Sequence, residues 1–373
     1  MENNSEDISE NNGSEIKELF IPKTENEMVI EKEKDFEDIL KMFAPGTSMR
    51  TALDDLLRAR MGALIVFDNG YVSNFIEKGF KIGCKFTPQR LVELAKMDGA
   101  IILSRDGKKI LSANALLNPS VEISTRETGT RHKAAERTAK QSKTIVIAVS
   151  ERKNKISLFY GDLRYRLESS SEILRRATET LNMLEKQKEI FSELLDNLNL
   201  LELRKIVSVN DVSLVLQRLE IMKRISEIVK GYLVELGQEG LIVKMRLKEL
   251  MGNTKKEQEL ILRDYFGNSS AYALEILEKM SFDFLLEPLN ISRMLFEELH
   301  DKYISPKGIR ILSKTNLLER YVDSLISKFG NLNNILRSND DGLLEILETE
   351  PMVDFFREEI YNLKEKVGIG KRI

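Results

Sequence analysis

The sequence predicts an α/β domain with a mixed sheet, followed by segments that are entirely helical. Two apolar runs of strand length, Gly62 to Phe67 and Thr144 to Val149, lie in the first half of the 373-residue chain. Turn signals punctuate the same half, at Asp68-Asn69-Gly70 and at Asp106-Gly107. From about residue 170 such runs stop, and apolar residues recur at three- and four-residue spacing.

Taken in order, residues 1–34 are Asn, Ser, Glu and Lys with little that is apolar, which predicts an acidic, disordered tail. Phe36, Ile39, Leu40 and Phe43 follow at helical spacing and stop at Pro45-Gly46; a second helix is predicted from Ser48 to about Arg60. Gly62–Phe67 is a buried strand. Thr87-Pro88 opens a helix in the order N-cap then proline. Ala100–Ser104 and Lys109–Ser112 flank the hairpin signal Arg105-Asp106-Gly107-Lys108. A helix then runs from Thr130, as its N-cap, to about Gln141. The strand at 144–149 and a hairpin over 155–160 and 163–167 complete a domain assigned to residues 35–168.

An all-α linker is assigned to 169–310. Leu174, Ala177, Leu181, Leu184, Phe191 and Leu195 form one amphipathic helix, interrupted by Lys188. Asp211 to Leu236 forms another, which stops at Gly237. The simplest arrangement is a helical hairpin, with a self-associating coiled coil as the alternative. Residues 311–373 form a last helical module, with a helix ending at Phe329-Gly330, a turn at Ser338–Gly342 and a final helix opened by Pro351.

Composition narrows the function. Hydrophobic residues make 42% and charged residues 31%, and the net charge is −3, so nucleic-acid binding would have to be local. The single cysteine, Cys84, excludes an internal disulfide and suits a reducing cytoplasm. No apolar run approaches a membrane span, and the expected location is cytoplasmic.

Two stretches carry chemistry. Thr128-Gly129-Thr130-Arg131-His132-Lys133 is a loop turning into a helix, with Ala134, Ala135, Thr138 and Ala139 as a thin packing face. Its cations crowd the positive end of a helix dipole, which suits a bound phosphate. The plainer reading is a solvated basic turn neutralised by Glu127 and Glu136. Asp98-Gly99-Ala100 is the second stretch, between a helix and a strand. Glycine there admits a ligand to the backbone, and the aspartate can bind a metal or accept a hydroxyl proton. Asp106-Gly107 is a similar pair with ordinary turn chemistry. His300 has no comparable context and reads as a helix-end residue.

Together, Asp98-Gly99-Ala100 and Gly129-Thr130-Arg131-His132-Lys133-Ala134-Ala135 resemble the DGA and RHR signatures of the diadenylate cyclase family. Pro45-Gly46-Thr47 with Gly62–Val66 resembles that domain's opening. Asp211–Leu236, containing Val215-Leu216-Gln217-Arg218, is similar to the linker helix of its DNA integrity scanning branch. Ser305-Pro306-Lys307-Gly308 resembles the entrance to that branch's C-terminal helix-hairpin-helix module.

The resemblance implies condensation of two ATP into cyclic di-3′,5′-adenylate and two pyrophosphates with Mg²⁺ or Mn²⁺. It further implies cyclase domains that face each other in a homo-octamer, and a DNA-integrity-linked second messenger. Carried over by position, Asp98 would assist deprotonation of the 3′-hydroxyl, directly or through a metal. Gly99 and Leu117 would lie against the nucleoside. Thr128, Gly129, Thr130, Arg131 and His132 would hold phosphates, with Arg131 and backbone N–H groups stabilising charge on the α-phosphate. Ser150 is a further phosphate candidate. Lys133 departs from the family's usual arginine and keeps the charge without the planar fork, which predicts retained activity with a looser hold on the triphosphate.

The implied contact with branched DNA meets an obstacle. Glu348-Thr349-Glu350 stands where hairpin glycines are expected, and residues 311–373 hold 9 Lys and Arg against 11 Asp and Glu. Gly368-Ile369-Gly370-Lys371-Arg372 offers a small basic stretch at the end. The alternative reading is a non-enzymatic, ATP-sensing DNA-binding scaffold. A different nucleotidyltransferase or a kinase lacks support, because the sequence contains no GxxxxGK[ST] loop.

Overall fold

The computed structural model describes residues 36–77, 79–296 and 300–370. The tail over 1–34 and the basic pair Lys371-Arg372 lie outside them. An eight-stranded mixed sheet organises the first domain, in the order β2 (Ile76–Glu77), β5 (Lys109–Leu117), β4 (Ala100–Leu103), β1 (Ala63–Phe67), β6 (Ile145–Ser150), β7 (Lys155–Tyr160) and β8 (Leu163–Leu167). The eighth strand, β3 (Phe80–Lys85), pairs with β5 off this path. Only the central β1–β4 pair is parallel.

Strand alternation divides the core in two. Ile65, Phe67, Ile101, Leu103, Ile147 and Val149 face the helix over 36–42, which is α1, together with α2 (Ser48–Arg58) and α3 (Pro88–Leu94). Leu64, Val66, Ala100, Ile102, Val146 and Phe159 face α4 (Thr130–Ser142), whose Ala135 and Ala139 are fully buried against them. The caps Thr47 and Thr87 each accept the N–H three residues on, and Pro88 follows as predicted. The sequence reading has no strand between Gly70 and Thr87, where β2 and β3 form. β3 carries lysines and a glycine and leaves alternate positions exposed, so it has no apolar run to reveal it. The Arg105–Lys108 turn joins β4 to β5, and β5 continues to Leu117, beyond the predicted strand end.

The helical region begins with α5 (Ser170–Arg204) and α6 (Val209–Leu236), which pack together over a continuous core from Ile173 through Val229. Lys188 does not interrupt α5: its Nζ lies over the Phe191 ring at 4.9 Å. Gly237 ends α6, as predicted, with φ +52°. Next come α7 (Leu241–Met251), α8 (Thr254–Phe266), α9 (Ser270–Lys279), α10 (Phe282–Leu285) and α11 (Pro288–Phe296). His300 is structural, with its Nδ1 2.8 Å from the Ser292 hydroxyl.

A separate core gathers α12 (Ile309–Leu312), α13 (Glu319–Phe329), α14 (Leu332–Arg337), α15 (Asp340–Leu347) and α16 (Glu350–Gly368), with Leu203 of α5 packed into it. Ser338–Gly342 is not a free turn. Asn339 caps α15, and Asp340 to Gly342 form its first turn. Among the described residues no helix is long and apolar enough to cross a membrane.

Candidate active site

The strand register collects most of the candidate residues at one end of the sheet. Ala63 at the start of β1 pairs with Val149, next to Ser150 at the end of β6. Leu64 pairs with Ala100, which follows Asp98-Gly99, and Ala100 pairs with Ala115, two residues before Leu117 at the end of β5. Asp98, Gly99, Leu117 and Ser150 therefore share this end. Asp106 lies at the opposite end, where its carboxylate accepts the Ser104 hydroxyl at 2.6 Å and the Lys108 N–H at 3.1 Å. It has turn chemistry only.

The second candidate stretch reaches this end through an unexpected contact. The Arg131 guanidinium packs directly on Gly62: a Cβ placed there would lie 2.2 Å from Nη1. Gly62 thus leaves the space that Arg131 occupies beside the start of β1. Gly99 is constrained by its own strand neighbours. It has φ +88°, and a Cβ there would come within 2.9 Å of the Ala115 carbonyl oxygen. This close approach sits at a register shift between β4 and β5, beside Asn114 at φ +51°.

Thr130 is not the N-cap of α4. Gly129 is, in extended conformation (φ −81°, ψ 143°), and Thr130 is the first helical residue. Gly129 provides no side-chain cap, and the first turn contains no acidic residue. The first N–H groups of α4 thus lack the usual capping oxygen. The conformation of Gly129 needs no glycine, and a Cβ there would meet only His132 Nδ1, at 3.9 Å. The absent side chain leaves the helix start open to a ligand.

Neither acidic neighbour is ion-paired with the basic turn. Glu127 pairs with Arg164 of β8 at 2.6 Å. Glu136 is buried and anchors the preceding loop, accepting the Thr125 hydroxyl at 2.5 Å and the Arg126 N–H at 3.1 Å, with Lys140 Nζ 2.8 Å away. Arg137 donates to the carbonyls of Ile123 and Val121, Lys140 to that of Ser124, and Gln141 accepts the Ser120 N–H. One face of α4 packs through alanines while the other holds the 120–127 loop. From the sequence Glu136 reads only as a counter-charge; the i, i+1, i+4, i+5 spacing of these four polar residues is the available signal.

His132 is half-buried, with its ring edge-on to Phe159 at 6.5 Å. Burial holds its imidazole below the usual histidine value; Glu127 opposes this and Arg131 adds to it. Asp98, Thr128, Gly129, Thr130 and Lys133 are exposed, and the Ser150 hydroxyl accepts the Lys153 N–H at 3.3 Å. Among the described residues no group of three or more His, Cys, Asp or Glu forms a metal cage. One exposed carboxylate fits Mg²⁺ or Mn²⁺ in the mode where substrate phosphates complete the coordination.

Comparisons with known proteins agree on one family. The DisA bacterial checkpoint controller nucleotide-binding region matches residues 50–163, and the DisA bacterial checkpoint controller linker region matches residues 167–299. The chain is 42% identical over 328 residues to the DNA integrity scanning protein DisA of Acetivibrio thermocellus, covering 85% of this chain and 91% of that one. It is 42% identical over 316 residues to the Clostridioides difficile protein of the same name, covering 82% and 88%. For the Clostridium botulinum protein the figures are 39% over 357 residues, covering 93% and 100%.

Proposed function

The chain belongs to the DisA family of diadenylate cyclases, and from that membership we propose that it condenses two ATP into cyclic di-3′,5′-adenylate with release of two pyrophosphates. The observation that carries the site assignment is the meeting of Asp98-Gly99 with Gly62 and Arg131 at one end of the sheet.

The triphosphate lies at the open start of α4, where backbone N–H groups and the dipole favour an anion. Arg131, braced on Gly62, stabilises the charge that builds on the α-phosphate. His132, whose burial lowers the imidazole below the usual histidine value, donates a hydrogen bond to a phosphate oxygen. Lys133 adds charge at the exposed side of the first turn. Gly99 and Leu117 border the nucleoside. Asp98 accepts the proton of the 3′-hydroxyl, whose oxygen bonds to the α-phosphorus of the facing ATP while the bond to pyrophosphate breaks. Asp98 would hold a divalent cation, which when bound would supply neutralisation of the phosphate charge.

The exposure of Asp98 and Thr128–Thr130 supports a site completed by a second cyclase domain, within an octamer of such pairs. The names of the relatives also suggest DNA as a partner. Glu348 and Glu350 at the α15–α16 connection would face phosphates unfavourably, so contact through that connection is weak. The deciding experiment incubates the protein with ATP and Mg²⁺ or Mn²⁺ and separates the nucleotides. Cyclic di-adenylate from the wild type and at least about a hundredfold less from Asp98→Asn is expected. Equal product from both would remove Asp98 from its role.

A further inference from the structure

Glu127 is the last acidic residue before α4, two positions ahead of the cap Gly129. A carboxylate so placed commonly serves the free N–H groups of a helix start and the positive end of its dipole. Here it serves neither. It meets Arg164 of β8 instead, Oε1 to Nη2 at 2.6 Å. The Glu127 side chain is only 12% exposed, its Oε1 is sealed from solvent, and no other donor serves that oxygen among the described residues. This is not a solvated surface pair, and loss of the cation would strand the carboxylate.

The sheet puts Arg164 where it can do this. β8 lies at one edge, and Arg164 pairs across it with Phe159 of β7. Directly paired residues project to the same face. On that face Phe159 belongs to the core under α4 and lies edge-on to His132. Arg164 therefore stands at the rim of the sheet beside α4, within reach of the loop that enters the helix. The next residue on β8 holds the strand from the opposite face: the Tyr165 hydroxyl donates to Glu235 of α6.

We propose that Arg164 is a positioning residue for the phosphate site: it holds the Glu127 carboxylate out of the open start of α4 and neutralises it there. Without the arginine, Glu127 would compete with a triphosphate for the same N–H groups and repel it. Arg164 acts in this way only if the triphosphate lies at that helix start, as proposed above; the identity of the reaction does not enter.

The test measures equilibrium binding of α,β-methylene-ATP, which cannot release pyrophosphate, to the full chain with Mg²⁺. Arg164→Gln should weaken binding about tenfold. The Glu127→Gln/Arg164→Gln double variant should bind within about twofold of the wild type, because the competing charge is gone. Both substitutions keep side-chain length. Wild-type affinity in Arg164→Gln, or a double variant as weak as Arg164→Gln, would overturn the proposal. A second readout needs no nucleotide. Burial lowers the His132 imidazole; Glu127 opposes this, while Arg131, Arg164 and Lys153 add to it. Proton NMR should therefore show His132 titrating higher in Arg164→Gln and lower in Glu127→Gln. No movement in either variant would remove the pair from the neighbourhood of the site. Arg131→Ala, run alongside, separates the two readings: unchanged affinity there would refute the placement of the triphosphate rather than the hold of Arg164 on Glu127.

Discussion

Gly62 has no reactive atoms, yet it sets where the Arg131 guanidinium lies and so, on the proposed assignment, how fast the reaction runs. Because a Cβ at 62 would lie 2.2 Å from the Arg131 guanidinium, Gly62→Ala must push that group away. The backbone at 62 tolerates alanine, so the fold should survive while turnover falls about 10- to 100-fold, the usual scale for a small misplacement. Product formation and the thermal midpoint, measured together, separate these effects. An unchanged rate would free Arg131 from the charge-stabilising role. His132 gives a second test. Burial depresses its value below the usual 6.5, so the stability it contributes is present above about that pH and lost as pH falls towards the folded-state value. Proton NMR should show the imidazole titrating below 6.5 in the free protein and shifting upward when a triphosphate binds. The sequence contains only two histidines, which simplifies assignment. The motif makes His132 legible as a candidate, whereas Gly62 reads simply as the start of a strand, because its partner is about 70 residues away in the chain.

Among the elements, α4 combines two functions on one short helix. Alanines allow it close to the sheet, and Glu136, Arg137, Lys140 and Gln141 hold the loop that leads into its open start. The sequence showed the alanine face but not the clamp, since the clamp's partners in the loop are mostly backbone N–H and carbonyl groups that no residue type announces. At the other end of the molecule, Glu348 adopts φ +65° in the connection between α15 and α16. That conformation disfavours residues with a Cβ. Glu348→Gly should therefore raise stability by about 1 kcal/mol, read from chemical denaturation. Combined with Glu350→Gly it should also strengthen binding to duplex DNA and steepen its salt dependence. If affinity does not change, that connection does not face DNA.

At the scale of the whole molecule, one buried polar network joins the C-terminal helices to the helical spine. Arg310 is fully buried, donating to Asn199 at 2.6 Å and to Glu202 at 2.7 Å, while Tyr265 donates to Glu202 at 2.6 Å. Asp264 accepts the N–H groups of Gly308, Ile309 and Arg310. Burial and the adjacent Glu202 push Asp264 up to about 7, against the pull of these donors and of Arg310. A raised carboxyl makes its full contribution to stability below its unfolded value near 3.8 and loses it as pH rises through about 7. The stability difference between wild type and Asp264→Asn should therefore shrink from pH 4 to pH 7 in denaturant titrations. A constant difference would mean that Asp264 stays charged throughout. The sequence by itself determined the succession of an α/β domain and helical segments, because apolar period and turn chemistry are local properties. It also determined the two signature stretches, because their residue types are legible in a row. Only the tertiary structure decided that these stretches meet at one end of a sheet, that Gly62 makes room for Arg131, and that Arg310 links α12 to α5. Those facts depend on strand register and on contacts between residues far apart in the chain, which local sequence does not encode.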